Sequence, residues 1–162
     1  MNKNLKDIIC RLKISLKEDP NGIIVGELNE GISGIELEFN SVHLTQYISF
    51  LEKTNGARCG AIDFWTYEEL PDNQFRVSEF PEFINRWLEI GQVMYKPLFI
   101  DKFSGSLILI KDEGDLRFQE FESLDTFLLN FVFYKNYELI VPDVEKDDWF
   151  QFLIRNENIS VL

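Results

Sequence analysis

Two apolar runs of β-forming residues, Pro97-Leu98-Phe99-Ile100-Asp101 and Ser106-Leu107-Ile108-Leu109-Ile110, are joined only by Lys102-Phe103-Ser104-Gly105. So short a glycine-containing connection brings the two runs back against each other as an antiparallel hairpin. Trp87 to Ile90 and Leu116 to Phe121 have the composition of flanking strands, with Asp112-Glu113-Gly114-Asp115 as the turn into the latter. The middle of the chain is therefore expected to be an antiparallel meander. Ala61-Ile62-Asp63-Phe64-Trp65 adds a further extended run upstream, closed by a loop at Pro71-Asp72-Asn73.

Helical periodicity marks both ends. Leu5, Ile8, Ile9, Leu12 and Leu16 fall on one helix face, and Asp19-Pro20-Asn21-Gly22 stops that helix. Leu44, Tyr47, Ile48 and Leu51 form a second stripe, with Ser41 as N-cap and Asn55-Gly56 at its end. Leu124, Phe127, Leu128 and Phe131 form a third behind an N-cap at Ser123. Trp149, Phe152 and Leu153 share a face of a last helix, over roughly 145 to 155, that Asp143 or Asp147 would cap. Residues 23 to 40 fit two patterns. Ile35, Leu37 and Phe39 alternate with Glu36 and Glu38 as in a strand, whereas Leu28, Ile32, Ile35 and Phe39 fit a helix. Gly31 and Gly34 would each cost a helix roughly 1 kcal/mol relative to alanine, which favours the strand. Helices gathered at the ends and strands in the middle predict an α+β domain: a central antiparallel sheet with helices from both chain ends packed on it.

At 162 residues, 45% of them hydrophobic, the chain is expected to form one domain over 1–162. Its formal net charge is −12, from 28 acidic against 16 basic residues. Such a field repels phosphate backbones and attracts basic proteins, so nucleic acid is not an expected ligand. No stretch reaches the roughly 18 apolar residues of a membrane span. Lys3, Lys6, Asp7, Arg11 and Lys13 interrupt the first sixteen residues, unlike a signal peptide, and a cytoplasmic location is expected. Cys10 and Cys59 lie far apart, and their number allows one disulfide but no disulfide framework or cysteine-rich zinc site. Cys10, following Ile8 and Ile9, reads as a small buried residue.

Three stretches resemble the SUKH superfamily, which groups bacterial, viral and fungal regulatory and immunity proteins. They are Tyr47-Ile-Ser-Phe-Leu51-Glu-Lys-Thr-Asn55-Gly56, Ile100-Asp101-Lys-Phe-Ser-Gly105-Ser-Leu107, and Ser123-Leu-Asp-Thr-Phe127-Leu128 with the tail from Asp147 to Leu153. They occur in the family's order across roughly residues 41 to 155. The Leu-Pro pair usual before the first of these helices is replaced by His43-Leu44, and the family's pattern argues for helix where glycine energetics argue for strand, between Gly22 and Asn40. The resemblance implies a cytoplasmic binding protein, prominently an immunity protein that neutralises a bacterial polymorphic or contact-dependent toxin, many of which are nucleases.

Chemistry of the chain's own has little support. His43, the single histidine, sits at a helix start where capping and surface roles are the common ones, and with two separated cysteines it makes no zinc site. No EF-hand loop, GxGxxG or GxxxxGK[ST] phosphate loop occurs, so no cofactor is expected. Glu68-Glu69, Asp112-Glu113 and Asp147-Asp148 are adjacent acids of the kind a glycosidase needs, but such pairs arise by chance among 28 acids. Trp65, Tyr67, Trp87, Tyr95 and Trp149 would line a small-ligand pocket or, more commonly, pack in the core. The expected function is therefore non-enzymatic: a surface of Glu68, Glu69, Asp72, Asp112, Glu113 and Asp115 around an aromatic anchor, Trp65 or Tyr67, that covers a basic protein partner. A regulatory adaptor on a housekeeping protein shares every one of these features. A carboxylate hydrolase would instead need two acids converging in a cleft with displaced pKa values.

Overall fold

The computed structural model describes residues 1–38, 41–112 and 117–156. Seven strands form one sheet in strict sequence order, each antiparallel to the next: β1 (Gly26–Leu28), β2 (Ala57–Cys59), β3 (Ile62–Phe64), β4 (Trp87–Val93), β5 (Lys96–Asp101), β6 (Leu107–Asp112) and β7 (Arg117–Phe121). The expected hairpin holds, with Leu98, Phe99 and Ile100 paired to Leu109, Ile108 and Leu107. The strand β2 was not anticipated, being too short to show alternation. Of the predicted turn after β6 only Asp112 is described; Glu113, Gly114 and Asp115 lie outside the described residues.

Helix α1 (Lys3–Glu18) buries all five residues of its predicted stripe, and Asn2 caps it by accepting from the Leu5 amide at 2.8 Å. Burying each such aliphatic side chain contributes about 1.5–3 kcal/mol, which fixes this helix against the sheet. After one helical turn, α2 (Gly22–Val25), the 3₁₀ turn at Val42–Leu44, which Ser41 caps, buries Leu44, and α3 (Thr45–Leu51) buries Tyr47, Phe50 and Leu51. Gly56 adopts φ +77°, the left-handed conformation expected of it. Helix α4 (Leu124–Phe127) starts at Ser123, which accepts from the Thr126 amide, and runs on into a π-helical turn over Leu128–Val132. Asp147 caps α5 (Asp148–Arg155) through the Phe150 amide, and Val144–Lys146 ahead of it is a separate 3₁₀ turn. All these helices pack on one face of the sheet in a single apolar cluster.

Two expectations fail. Residues 23–38 are not a continuous strand: Gly22–Val25 is one helical turn, α2, only Gly26–Leu28 pairs with the sheet, and 29–38 has no regular structure. Ile35 and Leu37 still lean on the core while Glu36 and Glu38 face out, so the alternation recorded burial without strand pairing. The close approach of Gly31 to α3 explains its glycine, since a Cβ there would stand 2.0 Å from the Glu52 carbonyl oxygen. Phe39 lies outside the described residues. Cys10 is exposed rather than buried, because the turn of the helix carries it away from the Ile8 and Ile9 face; both cysteines are free.

The second face of the sheet is covered as well, by the long connection from Trp65 to Arg86. Its 3₁₀ turns at Phe75–Glu79 and Pro81–Phe83 lay Val77, Phe80 and Phe83 over Trp87, Phe99, Ile108 and Ile110. Phe83 stacks on Trp87 with ring centres 3.9 Å apart, and Trp87 stacks on Phe99 at 5.1 Å. The sheet is thus the middle layer of three.

Candidate functional site

The start of this covering connection carries the acids singled out above, and a buried asparagine holds it in place. Asn55 donates from Nδ2 to Glu68 Oε2 at 2.8 Å and accepts the Tyr67 amide on Oδ1 at 2.7 Å. Its own amide donates to the Glu30 carbonyl, and its carbonyl accepts from Asn29 Nδ2 at 2.7 Å. Tyr67 reaches back from the same loop, its hydroxyl donating to the Glu36 carbonyl at 2.8 Å. Asn55 and Tyr67 together therefore tie residues 29–36, the end of α3 and the 66–69 turn.

A second device sets Glu69. Thr66 and Glu69 bond reciprocally, Thr66 N to Glu69 Oε2 at 2.9 Å and Glu69 N to Thr66 Oγ1 at 3.3 Å, the geometry of a capping box. The T-x-x-E spacing of Thr66 and Glu69 is the sequence signal that marks this turn. Both glutamates are exposed yet held by one oxygen each. Glu36, Glu52, Glu68, Glu69 and Asp72 thus come to the surface from three neighbouring segments whose relative positions Asn55 and Tyr67 fix. Glu30 differs, being taken up by Lys13 at 3.7 Å and Lys17 at 3.4 Å, whose charges, Lys13 foremost, hold its carboxyl below the usual range.

The hydrogen bond from Asn55 is also the main reason the Glu68 carboxyl is held below its ordinary value. A depressed carboxyl stabilises the fold above the unfolded-chain value of about 4.3, and that share is lost as pH falls through the lower folded value. Asn55→Ala is expected to cost about 1–3 kcal/mol, because the Tyr67 amide loses its acceptor. In the same variant Glu68 should titrate higher, which carboxyl-detected NMR with a parallel urea melt measures.

Trp65 and Tyr67 are half-buried and rest against the main core. The Trp65 indole N–H points at Glu89 Oε1 at 3.4 Å. Asp112 is not part of this surface. The ladder running Phe64, Gly91, Leu98, Leu109 places the Trp65 loop off one end of the strands, and Asp112 lies three residues beyond Leu109 toward the other, bonded to Arg117 at 2.9 Å. Glu113 and Asp115 lie outside the described residues.

Beneath the connection is a buried ion pair that composition could not reveal. Glu89, with a side chain 0% exposed, accepts from Arg76 Nε at 2.9 Å and from Arg76 Nη2, while Gln74 bonds both the amide and the carbonyl of Glu89. Burial is the leading influence on Glu89 and raises its carboxyl despite the arginine. Its Oε2 has no hydrogen-bond partner among the described residues. Glu89 is one acid fastened to one arginine, not a pair of acids converging on open space. Among the described residues no group of three or more His, Cys, Asp and Glu could hold a metal ion, and no helix is long and apolar enough to cross a membrane. His43 is exposed in its turn, and its amide donates to Ser41 Oγ.

Comparison with known proteins gives no further guide: no family model matches the chain, and no curated protein matches it.

Proposed function

We propose that this chain is a non-enzymatic binding module that covers a basic protein, most specifically an immunity protein that occludes the active site of a bacterial toxin in the cytoplasm. The observation that carries this is the fixing of exposed carboxylates: Glu68 by Asn55 and Glu69 by Thr66. A carboxylate already held in place loses little side-chain freedom when a cation meets it, so more of the contact energy remains as affinity. The net charge of −12 adds long-range attraction to any partner with a basic cleft, and a nuclease has such a cleft because its substrate is a polyanion.

The test is charge reversal of three residues together, Glu68→Lys, Glu69→Lys and Asp72→Lys, in the presence of the product of the reading frame next to this chain's own. Association should slow by about 10- to 100-fold at low salt and lose most of its ionic-strength dependence. Asp72 and Glu68 are exposed, so the fold should persist in a control melt. Unchanged association kinetics and an unchanged salt slope would place the interface elsewhere.

A further inference from the structure

The sheet has two outer edges, and one of them is long enough to take a further strand. β1 has three residues and is in contact with α1. β7 has five, Arg117–Phe121, and pairs with β6 alone. The ladder divides its main-chain groups. The Ser106 carbonyl accepts from the Asp101 amide and so faces β5, and alternation along β6 then turns Leu107 and Leu109 toward β7. Their partners Phe121 and Gln119 are taken up by β6. The N–H and C=O of Phe118 and Glu120 therefore point outward, and no hydrogen bond reaches them from the described residues.

The side chains of the same two residues stand on the face that residues 75–83 cover, because their partners Ile110 and Ile108 lie there. The cover stops short of them. Phe118 is 46% exposed, its ring centre 6.3 Å from that of Trp87, and Glu120 and Glu122 are exposed. In line with Glu120 across the sheet stand Ile108 and then Phe99, so no cation of β5 or β6 sits beside its carboxylate. Arg117 projects from the opposite face, where Asp112 accepts from it at 2.9 Å, and Lys111 lies beyond Ile110 at the Arg117 end.

We infer that the outer edge of β7 takes an extended segment of the basic partner as an eighth strand, with an apolar side chain against Phe118 and a lysine or arginine beside Glu120. The inference rests on the partner-binding function proposed above and adds a second contact, four strands from β3, after which the Glu68 loop begins. Four outward main-chain groups supply hydrogen bonds of any sequence, and alternate side chains supply the selection. Charge complementarity chooses the occupant: Glu120 and Glu122 meet a cation best, on a chain of net charge −12. A second copy is opposed by that charge. Two-fold antiparallel pairing would also keep like faces together, so Glu120 could not meet Arg117 of the other copy.

Hydrogen exchange read by NMR tests the edge residue by residue. In the free chain the Gln119 and Phe121 amides should be protected and those of Phe118 and Glu120 open; saturation with the product of the adjacent reading frame should slow the open pair at least about tenfold. Glu120→Gln, which removes the charge alone, should weaken binding about two- to fivefold in titration calorimetry. Glu120→Pro also removes one outward N–H, which an edge strand can do without, and should weaken it at least about tenfold further. Equal affinity of the two variants overturns strand addition, and wild-type exchange decides the matter if the proline variant does not fold. Unchanged affinity in Glu120→Gln overturns the cation beside it. Phe118 and Glu120 amides that stay open in the saturated complex overturn the inference, and if Glu68→Lys, Glu69→Lys and Asp72→Lys still abolish salt-dependent association, the partner-binding function stands without it. Slow exchange of both amides in a free chain that sediments as a dimer assigns the edge to a second copy and overturns the basic occupant. A wild-type chain that does not bind this product overturns both readings.

Discussion

Arg76→Ala is expected to destabilise the fold by about 3–5 kcal/mol at neutral pH, the cost of leaving a buried charge without its partner. Glu89 is wholly buried, and Arg76 supplies its only charged hydrogen-bond donor among the described residues. The charged groups around the pair do not replace it. Asp63 is engaged by Gln92 at 2.9 Å, and Glu79 raises the Glu89 carboxyl further. The loss should depend on pH in a defined direction. A carboxyl raised above its unfolded value contributes stability below the unfolded value of about 4.3 and loses it as pH rises through the folded value. Without the arginine the carboxyl rises further, so the gap between variant and wild type should be widest at pH 7 and narrow on acidification. Urea melts at pH 7 and pH 5 measure it. A gap of the same size at both would show that Glu89 is not the group left uncompensated. Glu89→Gln, which keeps the shape and removes the charge, should cost less than Arg76→Ala.

Trp149→Ala should be of similar size, about 3–5 kcal/mol, for a different reason: it empties volume in a close-packed interior. The indole is 0% exposed, lies against Phe152 and Phe133 with ring centres 5.5 and 6.3 Å away, and donates from Nε1 to the Val132 carbonyl at 2.8 Å. It also explains Gly26, where a Cβ would meet the indole at 2.7 Å. Trp149→Phe should recover much of the packing while leaving the Val132 carbonyl without its donor. Thermal melts followed by circular dichroism rank the three proteins. A domain of 5–15 kcal/mol total stability has little margin for either alanine variant. A Trp149→Ala protein as stable as wild type would mean that α5 does not hold the sheet.

These two residues show what the sequence could and could not disclose. Trp149 belongs to a helix whose apolar residues repeat with its turn and whose start is marked by Asp147, so its burial was readable from spacing alone. The same holds for the α1 stripe, the Ser41 and Ser123 caps and the β5–β6 hairpin. Glu89 alternates with apolar neighbours in β4 and so reads as solvent-facing. It is buried because residues 74–83 return over that face, and those residues are 3₁₀ turns with no period to recognise. For residues 23–38 the alternation of Ile35 and Leu37 reported which side chains face the core, but hydrogen bonding to α3 and to Tyr67 takes the place of a sheet ladder. Within the candidate site, Glu68, Glu69 and Asp72 were found from charge alone. Asn55, which holds Glu68 and the Tyr67 amide, reads from the sequence only as a helix stop, since the partners of its side chain lie in a later loop.

The central claim is that the chain acts by covering another protein and converts nothing, and stoichiometry tests it most directly. Titrating the purified chain into the toxin-type product of the adjacent reading frame, with that product's activity as readout, should give a linear fall to zero at one chain per partner. Activity should return when salt is raised far enough to screen the acidic surface. Neutralisation complete at a small fraction of one chain per partner, which only turnover explains, or no loss of activity at any ratio, would contradict it.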